Sequence, residues 1–250
     1  MKRSTAIIII LLISSMLPLS CAVTRPYPRL EISMDRRVVE AVQSRSASIK
    51  TIKASLGLRP AGLASPELSA YLVYKREGLF SLTGLTPTGF TLFNFETTDD
   101  LFTLSFPNGR RISGSAEEFM AGIKGAAGID LPADPGIVRE AIDFYGSDVT
   151  EDTRFLIEEL EDYYLLNQLK SREDLSYPVR RWWIEKRDMV VVRKEIFSKL
   201  PDRGGERLFE IVYGDFRVID DIRTPFDILV KGDEGQNLFR MRLHKVEYNR

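Results

Sequence analysis

The sequence predicts an α+β domain in which an antiparallel meander of strands packs against a few short amphipathic helices. Three observations carry this. Apolar residues alternate with period two over most of the chain, and successive strand candidates are mostly separated by only a few residues. Helical periodicity is confined to three short segments. Parallel strands would need crossovers of about a dozen residues or more, so short connections imply antiparallel neighbours.

The N-terminus sets the compartment. Lys2 and Arg3 precede an unbroken apolar run from Ala6 to Ile13, and Leu17-Pro18-Leu19-Ser20-Cys21 ends with a small residue before cysteine. This is the layout of a secretory signal peptide. The run is too short for a spanning helix, which needs about 20 apolar residues. The ending resembles the lipobox of bacterial lipoproteins, with Pro18 where leucine is usual. Cys21 is the only cysteine in 250 residues, so no internal disulfide is available, and lipid attachment gives it a use. Ordinary secretion is the alternative. Residues 1–21 are therefore read as the leader, 22–33 with Pro26 and Pro28 as an extended tether, and 34–250 as one domain.

Composition is that of an ordinary globular chain. Charged residues make up 28 % and apolar ones 44 %, and the formal net charge is -1. No sustained basic block is present, which argues against nucleic acid as a partner.

Asp35 is placed to cap a helix over 35–48, with Val38, Val39, Val42 and Ile49 near one face. Strands follow at 50–58, 68–75, 79–83, 89–96 and 101–106. Within them Phe80 and Leu82 alternate with polar residues, as do Phe102 and Leu104. In 89–96, Phe90 and Leu92 point one way and Phe93 and Phe95 the other, so both faces there are expected to be covered. Ser115 with Glu118 reads as a capping box for a helix to about 124, and Pro135 opens another that Gly146 ends, with Ile137, Val138, Ala141, Ile142 and Tyr145 as its stripe. Strands resume at 162–170, 179–187, 189–197, 207–213, 216–222, 228–230 and 238–246. A turn is expected at Gly214-Asp215, and a parity change after Leu243 calls for a bulge near Lys245.

Catalytic chemistry finds little support. His244 is the only histidine and falls on the polar side of the last strand, so neither a Cys/His metal cluster nor a serine–histidine–acid relay assembles readily. Acidic pairs such as Glu158-Glu159, Glu161-Asp162 and Asp220-Asp221 read as exposed charge, and Gly122, Gly125 and Gly128 lack the lysine of a phosphate loop. No cofactor is expected. Aromatic residues are 10 % of the chain and concentrate on the strands, where a curved sheet either fills its core or encloses an apolar cavity.

The order of pieces resembles the LolA/LolB lipoprotein-sorting family. After the N-terminal helix, meander and helix pair come Tyr163 to Leu169, Arg180-Arg181-Trp182-Trp183-Ile184, Val190-Val191-Val192-Arg193 and Phe209-Glu210-Ile211-Val212-Tyr213-Gly214-Asp215-Phe216. Thr224-Pro225-Phe226-Asp227-Ile228 and 238–249 close the chain. The resemblance implies an incomplete antiparallel β-barrel, a curved sheet whose apolar concave face is covered by helices and holds acyl chains. It makes Phe80, Leu82, Phe90, Leu92, Phe102, Leu104, Trp182, Ile184, Phe209, Ile211, Phe239, Met241 and Leu243 the cavity candidates. A lipid anchor on Cys21 places the chain nearer the LolB branch, outer-membrane receptors that accept lipoproteins from a soluble LolA-like donor. In that branch an apolar residue in the hairpin after the third strand aids membrane insertion of cargo, and Leu85 is the candidate here. Ala22 after the cysteine implies outer-membrane sorting, facing the periplasm. The middle segment 114–161 is longer than the family's. Alternative roles on the same fold are a carrier for another envelope lipid and a structural envelope-assembly lipoprotein with a filled core.

Overall fold

The computed structural model describes residues 36–61, 67–76, 78–98, 101–115, 135–146, 153–172, 175–198 and 205–249. Two helices occur among them, α1 (Arg36–Ser48) and α2 (Pro135–Ile142), with thirteen strands. The first six are β1 (Thr51–Pro60), β2 (Leu68–Lys75), β3 (Leu79–Leu85), β4 (Thr91–Thr98), β5 (Leu101–Ser105) and β6 (Arg111–Ser115). After α2 come β7 (Thr153–Glu159), β8 (Tyr163–Arg172), β9 (Leu175–Glu185), β10 (Val190–Phe197), β11 (Arg207–Ile219), β12 (Ile222–Gly232) and β13 (Asn237–Tyr248).

All thirteen strands belong to one sheet in the order β6-β5-β4-β3-β2-β1-β13-β12-β11-β10-β9-β8-β7. Every adjacent pair is antiparallel. The chain thus enters in the middle of the sheet and runs outward as a meander to β6. It then re-enters at the other edge, β7, and returns to the middle, where β13 pairs with β1. This curved open sheet fits the expected incomplete barrel. Asn249 pins the central seam: its side chain accepts from the Lys50 amide at 2.8 Å and donates to the Ser48 carbonyl at 2.9 Å.

Most strands bury alternate residues, as period two requires. β3 reads half-buried, buried, half-buried along its whole length, with Phe80 and Leu82 inward. In β13 the alternation breaks at His244 and Lys245, both exposed, because Ser55 pairs with Lys245 while Leu56 pairs with Leu243. The expected bulge is present. On α1, Val38 and Val42 supply the buried stripe, and Ile49 just past its end is buried too.

Other expectations are corrected. The 89–96 strand begins at Thr91, and its two faces are not both covered: Phe93 and Phe95 are buried, whereas Phe90 is 74 % and Leu92 42 % exposed. The reason is local. Phe90 lies in the turn, where its carbonyl accepts from the Thr86 amide at 2.7 Å and its amide donates to Thr86 Oγ1 at 2.9 Å. A register shift between Gly84 and Leu85 then resets the parity of β4.

Gly214-Asp215 is no turn either. β11 runs straight through it, with Asp215 at φ 49°, and the reversal comes at Asp220 and Asp221, where φ is 48° and 63°. Positive φ at both central residues marks a type I′ hairpin, which favours Asn-Gly or Asp-Gly. Asp221→Gly should therefore stabilise the protein by up to about 1 kcal/mol, seen as a higher urea midpoint at unchanged slope.

β6 and β7 were not expected as strands. Ser115, read as a helix cap, is the last residue of β6, and 116–124 lies outside the described residues, as do Cys21 and the tether.

Candidate functional site

Cross-strand register assembles one continuous apolar face. Leu72, Leu82, Phe95 and Leu104 lie in one row across β2 to β5, and Phe80, Phe95 and Phe102 are in ring contact, with centroids 6.2 and 6.1 Å apart. On the other half Met241 pairs with Ile228 and Ile228 with Tyr213, while Phe239 and Ile211 flank Val230. Trp182 sits between Lys194 and Leu166, with Ile184 beside it on the same face.

Of the cavity candidates, Phe80, Leu82, Phe102, Leu104, Trp182, Ile184, Phe209, Ile211, Phe239, Met241 and Leu243 are each 5 % exposed or less. The face brings all of these together. Phe90 and Leu92 are placed elsewhere, in solvent at the β3–β4 hairpin, where Leu85 is half-buried.

One charged group interrupts the face. Lys194 is on β10 in register with Trp182 and Ile211, and its side chain has no exposed surface. Its ammonium reaches α2 and the residue after it, pairing with Glu140 Oε2 at 2.8 Å and donating to the Glu140 and Asp143 carbonyls at 2.9 and 3.0 Å. Arg180 on β9 closes on the same carboxylate, with Nη2 2.7 Å from Glu140 Oε1 and Nε 3.4 Å from Oε2, and donates to Gln168 Oε1 at 3.3 Å. The Glu140 side chain as a whole keeps 27 % exposure, while the carboxyl that joins the two cations is buried.

α2 can present it this way because Pro135 suits a first helical turn and Val138, Ala141 and Ile142, all fully buried, turn the opposite stripe down. Phe144 then meets Tyr213 edge-to-face at 6.2 Å.

Burial alone would raise the Glu140 carboxyl, but Lys194 and then Arg180 outweigh it and hold it well below the usual carboxylate range. Asp143 behaves oppositely, pushed up by burial despite Lys194. Burial, with Glu140 and Asp143 adding to it, drives the Tyr213 phenol well above its ordinary value, and its hydroxyl has no partner among the described residues. The Trp182 Nε1 is likewise buried without a partner among them.

Sequence reasoning missed this cluster. The signal was Arg193-Lys194-Glu195, three charges in a row within a strand, of which one must face inward. Arg180-Arg181 poses the same problem.

The opposite face of β9 to β12 carries the residues left over. Glu195 meets Arg193 at 2.8 Å and Arg181 and Arg207 at 3.4 Å, and Glu210 meets Arg193 at 3.0 Å and Arg207 at 3.2 Å. The Arg193 guanidinium lies over the Trp183 ring, 4.9 Å from its centroid. Elsewhere, Glu161 and Asp162 line a polar cleft of about 360 Å³ with Tyr163, Glu185, Lys186 and Arg187. His244, on the bulge, is 57 % exposed and 3.6 Å from Glu67.

No protein-family model matches the sequence, and comparison with curated protein sequences finds no match. Solved structures do match. A domain from Vibrio parahaemolyticus described as an outer membrane lipoprotein-sorting protein domain superimposes with a TM-score of 0.58 at 11 % identity, covering 85 % of this chain and 91 % of its own. A LolA superfamily protein from Nitrosomonas europaea gives 0.55 at 11 % identity, over 84 % and 93 %. The fold is LolA-like. A DUF1329 family protein from Desulfovibrio piger gives 0.60 at 12 % identity, over 87 % and 93 %.

Proposed function

We propose that this LolA-like chain is a lipid-anchored protein of the bacterial envelope that holds acyl chains against the apolar face of its sheet and accepts or inserts lipoproteins at the outer membrane. The observation that carries the reading is the apolar face that runs from Phe102 to Ile211 and resumes at Trp182 beyond the buried Lys194, on an open sheet of LolA-like fold. The helices serve as its cover. α2 is the movable part, because eight residues of helix contribute little stability of their own and rely on tertiary contacts.

Acyl chains then replace buried protein surface with buried lipid surface, at about 25 cal/mol per Å² of apolar area. In the β3–β4 hairpin proposed to meet the membrane, Phe90 supplies the solvent-exposed apolar group, with the half-buried Leu85 behind it.

The test is a titration of the purified protein with a fluorescent fatty acid, joined to mass spectrometry of lipid that co-purifies with it. Absence of both would sink acyl binding. The packed Phe80, Phe95 and Phe102 rings favour one competing reading, a structural envelope lipoprotein with a filled core, and it predicts that null result. The anchor is checked separately. Cys21→Ala should abolish labelling by radioactive palmitate and move the protein from the membrane pellet to the soluble fraction, since acyl anchoring adds about 0.8 kcal/mol per buried methylene.

A further inference from the structure

The geometry points to a carboxylate subsite on the apolar face: Lys194 and Arg180 are built to receive the head of a fatty acid, and Glu140 of α2 fills that place as an internal substitute. The inference rests on the acyl-binding part of that reading and names a free fatty acid as the ligand, because the ester- and amide-linked chains of a lipoprotein carry no carboxylate; it replaces lipoprotein acceptance while keeping the acyl site.

A face meant only for neutral hydrocarbon has no use for an ammonium at its centre. Lys194 has no exposed side-chain surface, yet it stands in a row between Trp182 and Ile211. Charged side chains in such surroundings need a hydrogen-bonded counter-charge. Among the described residues, the sheet supplies none on this face for Lys194. Its ammonium, among the described residues, bonds only to α2 and to Asp143 just beyond it.

The counter-charge is therefore carried by the element that acyl binding would displace. If α2 yields to a neutral chain, the ammonium is left under hydrocarbon with no acceptor, and binding is penalised. If it yields to a chain ending in a carboxylate, the ligand restores what Glu140 gave.

The geometry of the Glu140 carboxylate shows what the subsite accepts. Its two oxygens are divided between Lys194 Nζ at 2.8 Å and Arg180 Nη2 at 2.7 Å, with Arg180 Nε at 3.4 Å, and Gln168 steadies Arg180 from behind. The head of a bound chain would take the place of the Glu140 carboxylate between the two cations while its tail runs along Trp182, Leu166 and Ile211. A fork of guanidinium and ammonium around one planar anion is a strong recognition element.

The experiment uses the full chain and two probes that differ only at the head, cis-parinaric acid and its methyl ester. The acid should bind about tenfold more tightly than the ester in the natural protein, as one charge-assisted contact allows. Glu140→Gln removes the competing carboxylate and should tighten both probes several-fold while the acid stays ahead of the ester, and Lys194→Met should erase the difference between the probes. Equal affinity of acid and ester in both the natural protein and Glu140→Gln overturns the carboxylate subsite while acyl binding stands. If neither probe binds the natural protein or Glu140→Gln, both the subsite and acyl binding are overturned. Because the comparison of heads needs no variant, a Lys194→Met protein that does not fold leaves the test intact.

Discussion

Replacing Lys194 by alanine should lower the unfolding free energy by about 3 kcal/mol, the low end for breaking a buried ion pair, because Arg180 remains to hold Glu140. Two losses combine. The Glu140 and Asp143 carbonyls lose their donor, and α2 loses its tie to β10. A urea titration measures the drop, and the double substitution Lys194→Met with Glu140→Gln should recover part of it, since the two residues are directly coupled.

The same pair shapes the acid limb. Glu140, Glu195 and Asp227 all have carboxyls held below the ordinary range, Glu140 and Glu195 against opposing burial and Asp227 first by its hydrogen bond from Arg240. A depressed folded value gives stability that is present above the unfolded value of about 4 and is lost as pH falls through the folded one. Asp143, which is raised, works the other way: its contribution is present below its unfolded value and lost as pH rises through the folded one. With three groups against one, unfolding free energy should fall below about pH 4, and Glu140→Gln should flatten that fall.

Trp182→Ala should be the most damaging single change on the apolar face, costing about 3–5 kcal/mol and lowering Tm by roughly 10 °C. Trp182 is fully buried in register with Lys194 and Leu166, so its removal leaves a cavity between β10 and β8 that the hydrogen-bonded backbone cannot close. Trp182→Phe is the informative control. The indole Nε1 has no partner among the described residues, so no hydrogen bond is lost, and the cost should reflect volume alone. Thermal unfolding of the two variants side by side separates these effects; a Phe variant as weak as the Ala variant would show that the indole nitrogen is bonded after all.

Strand existence was readable wherever one face is buried and the other wet. β3, β5 and β13 declare themselves because Phe80, Leu82, Phe102, Leu104, Phe239, Met241 and Leu243 alternate with polar residues, and the His244 bulge shows as a slip in that alternation. β6 was illegible because Arg111-Ile-Ser-Gly-Ser115 is an edge strand with one apolar residue, held by backbone pairing to β5. Gly214-Asp215 misled because glycine and aspartate are common turn residues, and only the unbroken register from Gly214 with Asp227 to Phe216 with Pro225 shows β11 continuing through them. The candidate site split in the same way. Its apolar members follow from periodicity, but the charge at its centre depends on which residue of Arg193-Lys194-Glu195 turns inward, and that is set by the register slip between Val191 and Arg193.

The seam between β1 and β13 governs how the molecule can be made. Each half of the sheet is a meander whose contacts are local in sequence and quick to form, whereas Ile52 meets Tyr248 only after almost the whole chain has been synthesised. The pairing of β1 with β13 is thus the long-range contact that joins two halves whose other pairings are local. A truncation before Asn237 would leave β1 and β12 as two unsatisfied strand edges, with Ile52, Leu56, Ile228 and Val230 no longer covered by β13, a surface ready to pair with another chain.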